Sequence, residues 1–176
     1  VADPAVAQGF PVFANTVLVS TMTVVEESIL EQERIIGSLA GLPEVQSADW
    51  SRMKEIVGRF QASMKDSGVY WFALPDGRYY TVGQGLVGRT LSDRPYFPLV
   101  MTGRPAVGDL VVSRSTGRKS AVVVLPVRGA GGRIVGCLGA SIFLDKLAGR
   151  LSASLSLPDG CFFYALAPDG MTAVHL

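Results

Sequence analysis

The chain is poor in the residues that most often carry chemistry. It has one histidine, His175, and two cysteines, Cys137 and Cys161, in 176 residues. No Cys/His cluster exists, so no structural metal site is expected. With its only histidine beside the C-terminus, Ser-His-Asp catalysis would need that end held in a cleft. No paired carboxylates stand out for acid–base work, so an enzyme is not expected. Charged residues make up only 18% of the chain and the net charge is +1, which argues against a nucleic-acid partner. No apolar run is expected to span a bilayer. The nearest, Val17–Val25, is interrupted by Ser20, Thr21 and Thr23. The opening residues show no signal-peptide pattern, so any membrane anchor is expected outside this chain. Cys137 sits in a strongly apolar stretch and reads as a small buried hydrophobe. A disulfide between Cys137 and Cys161 stays open from sequence alone.

What is present is a core and an uneven charge pattern. Hydrophobic residues make up 48%, enough for one globular domain, or one domain and part of another. Residues 1–66 carry nine acids and five bases, whereas residues 67–176 carry six acids and eleven bases. Arg89, Arg94, Arg104, Arg114, Arg118 and Lys119 fall close together with only Asp93 and Asp109 among them. Several of these are turn residues facing water; together they also describe a positive field around an anion site.

Periodicity predicts one long helix from Val12 to about Ala40, after a lead-in over residues 1–11. Leu18, Met22, Val25, Ile29, Gln32, Ile36 and Leu39 recur at alternating steps of four and three, a 3.5-residue stripe with one polar interruption. Such a helix would be about 40 Å long, suited to an arm or a dimer seam. Gly41 and Pro43 end it. A second helix, Asp49 to Lys65, has Asp49 as its cap and Trp50, Met53, Val57, Phe60 and Met64 on one apolar face. Val69–Leu74 and Arg78–Val82 form a hairpin across Pro75-Asp76-Gly77. Gly83–Arg89 reads as a glycine-rich loop without the Lys-Ser/Thr ending of a phosphate-binding loop. Asp93–Thr102 is a short helix. Ala106–Ser113, Ser120–Arg128 and Arg133–Phe143 are three strands joined by tight turns, hence antiparallel neighbours. Asp145 caps a helix to about Leu155. Cys161–Ala167 and Met171–Val174 then repeat the first hairpin, since Phe72-Ala73-Leu74-Pro75-Asp76-Gly77 is echoed by Tyr164-Ala165-Leu166-Ala167-Pro168-Asp169-Gly170.

The stretch that organises the rest is Ser92-Asp93-Arg94-Pro95-Tyr96-Phe97. An arginine beside two aromatics, opening a helical turn before a sheet, suits a small anion: the guanidinium forks onto a carboxylate and the rings exclude water. On spacing alone, a solvated arginine beside two core aromatics fits as well. Asp93-Arg94-Pro95-Tyr96-Phe97, then Ser115-Thr116-Gly117, then a β run ending Leu125-Pro126-Val127, then Gly136–Ile142, resembles the Cache family. These are extracytoplasmic, PAS-like sensor domains of chemoreceptors and histidine kinases. The likeness covers roughly Val12 to Arg150.

The resemblance implies an α+β fold: a PAS-like five-stranded antiparallel sheet over residues 69–143, with both N-terminal helices on one face. It divides the chain into a helical arm (1–67), a ligand-binding module (68–144) and a helix and hairpin (145–176) that could open a second module. In the amino-acid-binding subgroup an arginine holds the ligand carboxylate and acids hold its ammonium. Arg94 matches that arginine, Tyr96 and Phe97 take the two aromatic places, and Asp109 matches one acid. Two positions depart from the pattern: Arg89 stands where a tyrosine is expected, and Ser141 where a second acid is expected. Losing a carboxylate and gaining a cation should favour an anion over a zwitterion. The expected partner is therefore a small carboxylate such as acetate or pyruvate, with an amino acid as the alternative. No cofactor is expected. A homodimer is expected in the full receptor. The rivals are a cytoplasmic PAS-type cofactor module, in which haem would need His175, Cys137 or a methionine as axial ligand, and a purely structural dimerisation module.

Overall fold

The computed structural model describes residues 4–154, 164–166 and 172–175. Cys161, and with it one end of the Cys137–Cys161 pairing left open from sequence, and the Pro168-Asp169-Gly170 turn lie outside these residues. Cys137 is a buried free thiol.

Helix α1 runs from Pro4 to Ala40, about 55 Å at 1.5 Å per residue. It begins well before Val12, inside the expected lead-in. Helix α2 (Pro43–Gln46) is a single turn that starts on the proline expected to be a breaker; proline tolerates the first helical position, where its missing N–H costs nothing. Helix α3 spans Trp50–Met64, and the Asp49 side chain caps it by accepting from the Ser51 N–H.

Strands β1 (Gly68–Ala73), β2 (Arg78–Thr81), β3 (Gly85–Thr90), β4 (Ala106–Val112), β5 (Lys119–Arg128) and β6 (Ile134–Phe143) form one antiparallel sheet in the order β3-β2-β1-β6-β5-β4. Helix α4 (Tyr96–Met101) sits between β3 and β4, and α5 (Leu144–Ser154) follows β6. Asp145, expected as its cap, instead lies inside the first turn of α5 and pairs with Arg118. Strands β7 (Tyr164–Leu166) and β8 (Thr172–His175) pair in a separate two-stranded sheet.

The main sheet has six strands, not five. The glycine-rich segment expected as a loop supplies the sixth, pairing Thr81 with Gly85 and Tyr80 with Leu86. Its sequence hides it because glycine weakens strand propensity. As an edge strand it needs only one neighbour, and Val87 alone is buried along it.

Both long helices cover one face of the sheet, as expected. Ile36, Leu39, Met53 and Val57 pack there against Tyr70, Phe72, Val123, Leu138 and Ala140. Burying an aliphatic side chain of this size stabilises by about 2 kcal/mol. The opposite face holds a second core, built from Trp71, Tyr79, Leu91, Tyr96, Phe97, Val122, Val124 and Cys137. Strands β1, β5 and β6 are thus buried on both faces, which is why their sequences run almost continuously apolar.

The helix stripe divides. Ile36 and Leu39 are fully buried, whereas Leu18 and Met22 are 49% and 51% exposed. Gln32, the one polar member, accepts from the buried Tyr70 hydroxyl at 2.5 Å, so the interruption fixes the helix on the sheet. The segment Val12–Ala40 is long and apolar enough to cross a membrane by length and composition, with 11% of its apolar window buried. That overturns the reading from Ser20, Thr21 and Thr23. The Thr21 and Thr23 hydroxyls return to the carbonyls of Val17 and Val19 at 2.8 and 3.0 Å, so they place little unpaired polarity on the helix.

Gly139 faces Trp71 directly across the β1–β6 ladder. A Cβ there would lie 2.3 Å from the Trp71 ring. Gly139→Ala is expected to cost about 1–3 kcal/mol through overpacking and to move the Trp71 ring, seen as a lower urea midpoint and a changed indole emission.

Candidate ligand-binding site

On the face away from the long helices, the sheet, the segment before α4 and the β4–β5 turn enclose a pocket. Trp71, Tyr79, Leu91, Arg94, Tyr96, Val111, Ser113, Arg114, Ser115, Val122 and Ser141 line it, around about 260 Å³ of free space that includes its open mouth.

Strand alternation delivers the sheet residues. Tyr70 and Phe72 point at the helices, so Trp71 points at the pocket. Val122 pairs with Ser141, which puts both on one row of that same face. The Trp71 indole N–H donates to the Ser141 hydroxyl at 3.1 Å, wholly buried. Three rings form the inner wall: Trp71 meets Tyr79 edge-on (6.3 Å, 77°) and Tyr96 at a tilt (6.3 Å, 33°).

Arg94 is held by successive turns. Its N–H donates to the Leu91 carbonyl at 3.0 Å, and its carbonyl accepts from the Phe97 N–H at 2.9 Å. One terminal nitrogen donates to the Val112 carbonyl at 2.6 Å. Its Nε is buried and has no hydrogen-bond partner among the described residues. The Tyr79 hydroxyl is likewise buried with no partner in bonding geometry among them. Burial raises the Tyr79 pKa, with the nearby Ser115 hydroxyl and Arg114, Arg94 and Arg89 pulling it back. Burial also raises Tyr96, against the pull of Arg94. Both phenols therefore stay protonated at neutral pH.

The two lips of the pocket are tied together. Arg114, on the β4–β5 turn, forks onto Asp93 with both contacts at 2.6 Å and also donates to the Thr90 carbonyl. Gln84 donates to the Ser115 carbonyl at 2.8 Å. Ser113 and Ser115 share a hydrogen bond at 3.2 Å.

Of the residues singled out from sequence, Arg94, Tyr96 and Ser141 meet in this pocket. Phe97 is buried in the same core cluster but does not line the cavity. Arg89 is exposed on β3 and stands outside the lining, although its charge reaches Tyr79. Asp109 is exposed beside a β4 irregularity made by Gly108 (φ +86°). It pairs with Val122, so it shares the row of Ser141 two strands away, outside the lining. The basic cluster splits: Arg94 and Arg114 face the pocket, while Arg118 lies over the Phe143 ring at 3.7 Å and pairs with Asp145. Among the described residues no group of three His, Cys, Asp or Glu side chains could hold a metal. Sequence reasoning missed Trp71 and Tyr79. The signal was there: counting alternate residues through the Pro75-Asp76-Gly77 hairpin puts them on one face, opposite Tyr70 and Phe72.

Asp93 is held below the usual carboxylate range, chiefly by its hydrogen bonds to Arg114. A lowered folded-state pKa stabilises the fold above the ordinary carboxylate pKa, and that contribution is lost as pH falls through the folded value. Asp93→Asn is therefore expected to flatten part of the stability loss below about pH 4. At neutral pH it should speed amide hydrogen exchange over residues 112–118, measured by mass spectrometry.

No family model matches the chain, and no curated protein matches it in sequence. Solved structures do match. The sensory domain of the Campylobacter jejuni chemoreceptor Tlp3 with isoleucine bound aligns with 99% of this chain and 76% of its own, at 14% identity and a TM-score of 0.72. The ligand-binding domain of the Pseudomonas aeruginosa amino acid chemoreceptor PctC, in complex with GABA, covers 96% and 75% at 19% identity and a TM-score of 0.66. The sensor domain of the V. cholerae histidine kinase DctB covers 96% and 67% at 14% identity and a TM-score of 0.75. A long N-terminal helix laid on an antiparallel sheet, with a pocket on the sheet's other face, is thus the Cache-type fold of chemoreceptor and histidine-kinase sensor domains.

Proposed function

We propose that this chain is the ligand-binding sensor domain of a membrane signal-transduction receptor, a chemoreceptor or a sensor histidine kinase, and not an enzyme. Its pocket takes a small molecule through a carboxylate. The observation that carries this reading is the unpaired, buried Arg94 Nε in an aromatic-walled pocket. A guanidinium nitrogen left unbonded out of water is costly, and an anion relieves that cost. Tyr79 supplies a second donor, and Tyr96 and Trp71 keep water out. Ser141 lines the wall, and Arg89 and Asp109 stand as charges outside it.

Two ligand classes fit. The lining favours a simple carboxylate such as acetate or pyruvate, because no acid among the described residues faces the cavity. An amino acid is favoured by the similar structures that hold isoleucine and GABA. Both classes share the carboxylate that Arg94 would hold.

The domain is placed outside the cytoplasm, with α1 leading towards the membrane. The bare upper half of the α1 stripe is assigned to a homodimer seam. Residues 145–176 are assigned to the opening of a second module.

Two measurements test this reading. A thermal-shift screen of carboxylates and amino acids should yield a stabilising ligand. By calorimetry, Arg94→Ala should abolish its binding with the fold intact, and Arg94→Lys, which keeps charge but loses the fork, should weaken it about tenfold or more. Unchanged affinity in Arg94→Ala would show the pocket misplaced. For the seam, Leu18→Glu should remove any dimer seen by light scattering. Ile29 is a poor probe because it packs against the core. A dimer that survives Leu18→Glu places the seam elsewhere.

A further inference from the structure

The polar side chains that line the pocket are two guanidinium groups, an indole N–H and hydroxyls, with no acid among the described residues. Arg94 offers its Nε, since one terminal nitrogen is spent on the Val112 carbonyl. Tyr79 offers an unspent hydroxyl. The Ser141 hydroxyl oxygen already receives the Trp71 indole proton at 3.1 Å. A hydroxyl that accepts on its oxygen keeps its own proton to give, and the Ser141 hydroxyl makes no other hydrogen bond among the described residues. Ser113 and Ser115 share one hydrogen bond.

The carboxylates near the pocket are engaged or distant. Both Asp93 oxygens are taken by Arg114, the Thr90 carbonyl by Arg114 and the Val112 carbonyl by Arg94. Asp109 is exposed and outside the lining. An ammonium group entering here brings three donors into a wall of donors beside two guanidinium groups. It would be desolvated without an anion to meet it, which is strongly unfavourable. A carbonyl oxygen in the same place accepts from Ser141 or Tyr79.

We infer that the pocket selects carboxylates whose second polar group is an acceptor, such as 2-oxo acids, over amino acids of the same carbon skeleton, and that Trp71 strengthens this preference by occupying one of the two lone pairs of the Ser141 hydroxyl. The inference rests on the proposed carboxylate pocket and adds the chemical class of its ligand. Trp71 is a positioning residue: the sheet holds its ring, and its N–H takes one lone pair of the Ser141 oxygen. Without that N–H both lone pairs would be open to an ammonium.

The test uses matched pairs, glyoxylate with glycine, pyruvate with L-alanine and 2-oxobutyrate with 2-aminobutyrate, titrated calorimetrically into the whole chain. The parent should bind at least one oxo acid about tenfold or more tighter than its amino partner. Trp71→Phe should narrow that ratio several-fold. Ser141→Ala, which threatens the fold less, should weaken the oxo acid and leave the amino acid unchanged, and Ser141→Asp should reverse the preference. Thermal melts establish that each variant is folded. If the amino acid binds as tightly as the oxo acid in the parent while Arg94→Ala abolishes both, the pocket stands and the inference falls. If Arg94→Ala leaves both affinities unchanged, the pocket reading itself falls. If no oxo acid binds, the assigned class is wrong.

Discussion

Strand β1 is buried on both faces, and the rest of the molecule is arranged around that constraint. Its neighbours are β2 and β6, and it holds Tyr70 and Phe72 in one core and Trp71 and Ala73 in the other. Period-two alternation lets consecutive residues serve opposite layers. Tyr70 donates to Gln32 of the long helix, and Trp71 donates to Ser141 of the pocket. Burial pushes the Tyr70 phenol up to about 12, with Glu31 adding to the shift, so this tie between helix and sheet is a neutral hydrogen bond across the physiological range. Helix arm and pocket are thereby joined through two adjacent residues of one rigid strand. On the proposed reading, a ligand that pulls on Ser141 or Trp71 would act on the same strand that seats α1.

The pocket is also a consequence of the sheet. The β3–α4 segment must cross from one sheet edge to the other to reach β4, and in crossing it lays Leu91, Arg94 and Tyr96 over the face of β1, β5 and β6 opposite the long helices. The Arg114–Asp93 fork then ties this crossing to the β4–β5 turn. Asp93 is 62% exposed, so screening by water leaves this pair a register device more than a source of stability. Gly139 belongs to the same design. Without a side chain opposite Trp71, the indole can lie down on β6 and reach Ser141.

Much of this was legible in the sequence. The two helices, five of the six strands and the turn before α4 follow from periodicity and turn chemistry, because those signals are local. Strand β3 was not legible, since backbone pairing with β2 overrides the poor propensity of its glycines. The length of α1 was underread because Pro4 and Pro11 look like breakers; Pro4 falls in the first turn, where proline is tolerated, whereas Pro11 lies within the helix. Arg94, Tyr96 and Ser141 came from a motif and its resemblance, and they meet around one cavity. Phe97 and Arg89 sit beside it for different reasons: helical spacing turns Phe97 into the core, and the unexpected edge strand carries Arg89 to the rim. Asp109 was read by distance along the chain, which does not register the irregularity at Gly108. Trp71 and Tyr79 went unread because an aromatic in a strand looks like core, and here each is core on one side and pocket wall on the other.

The central claim is that the Arg94 guanidinium, with its buried and unpaired Nε, receives the ligand's carboxylate. The most direct measurement is an NMR titration that follows the Arg94 Nε–H resonance as the best ligand from the screen is added. The account predicts a saturable downfield shift of that proton, with slowed exchange against water, tracking the calorimetric binding curve. Saturable binding that leaves the Arg94 Nε–H resonance in place would contradict it.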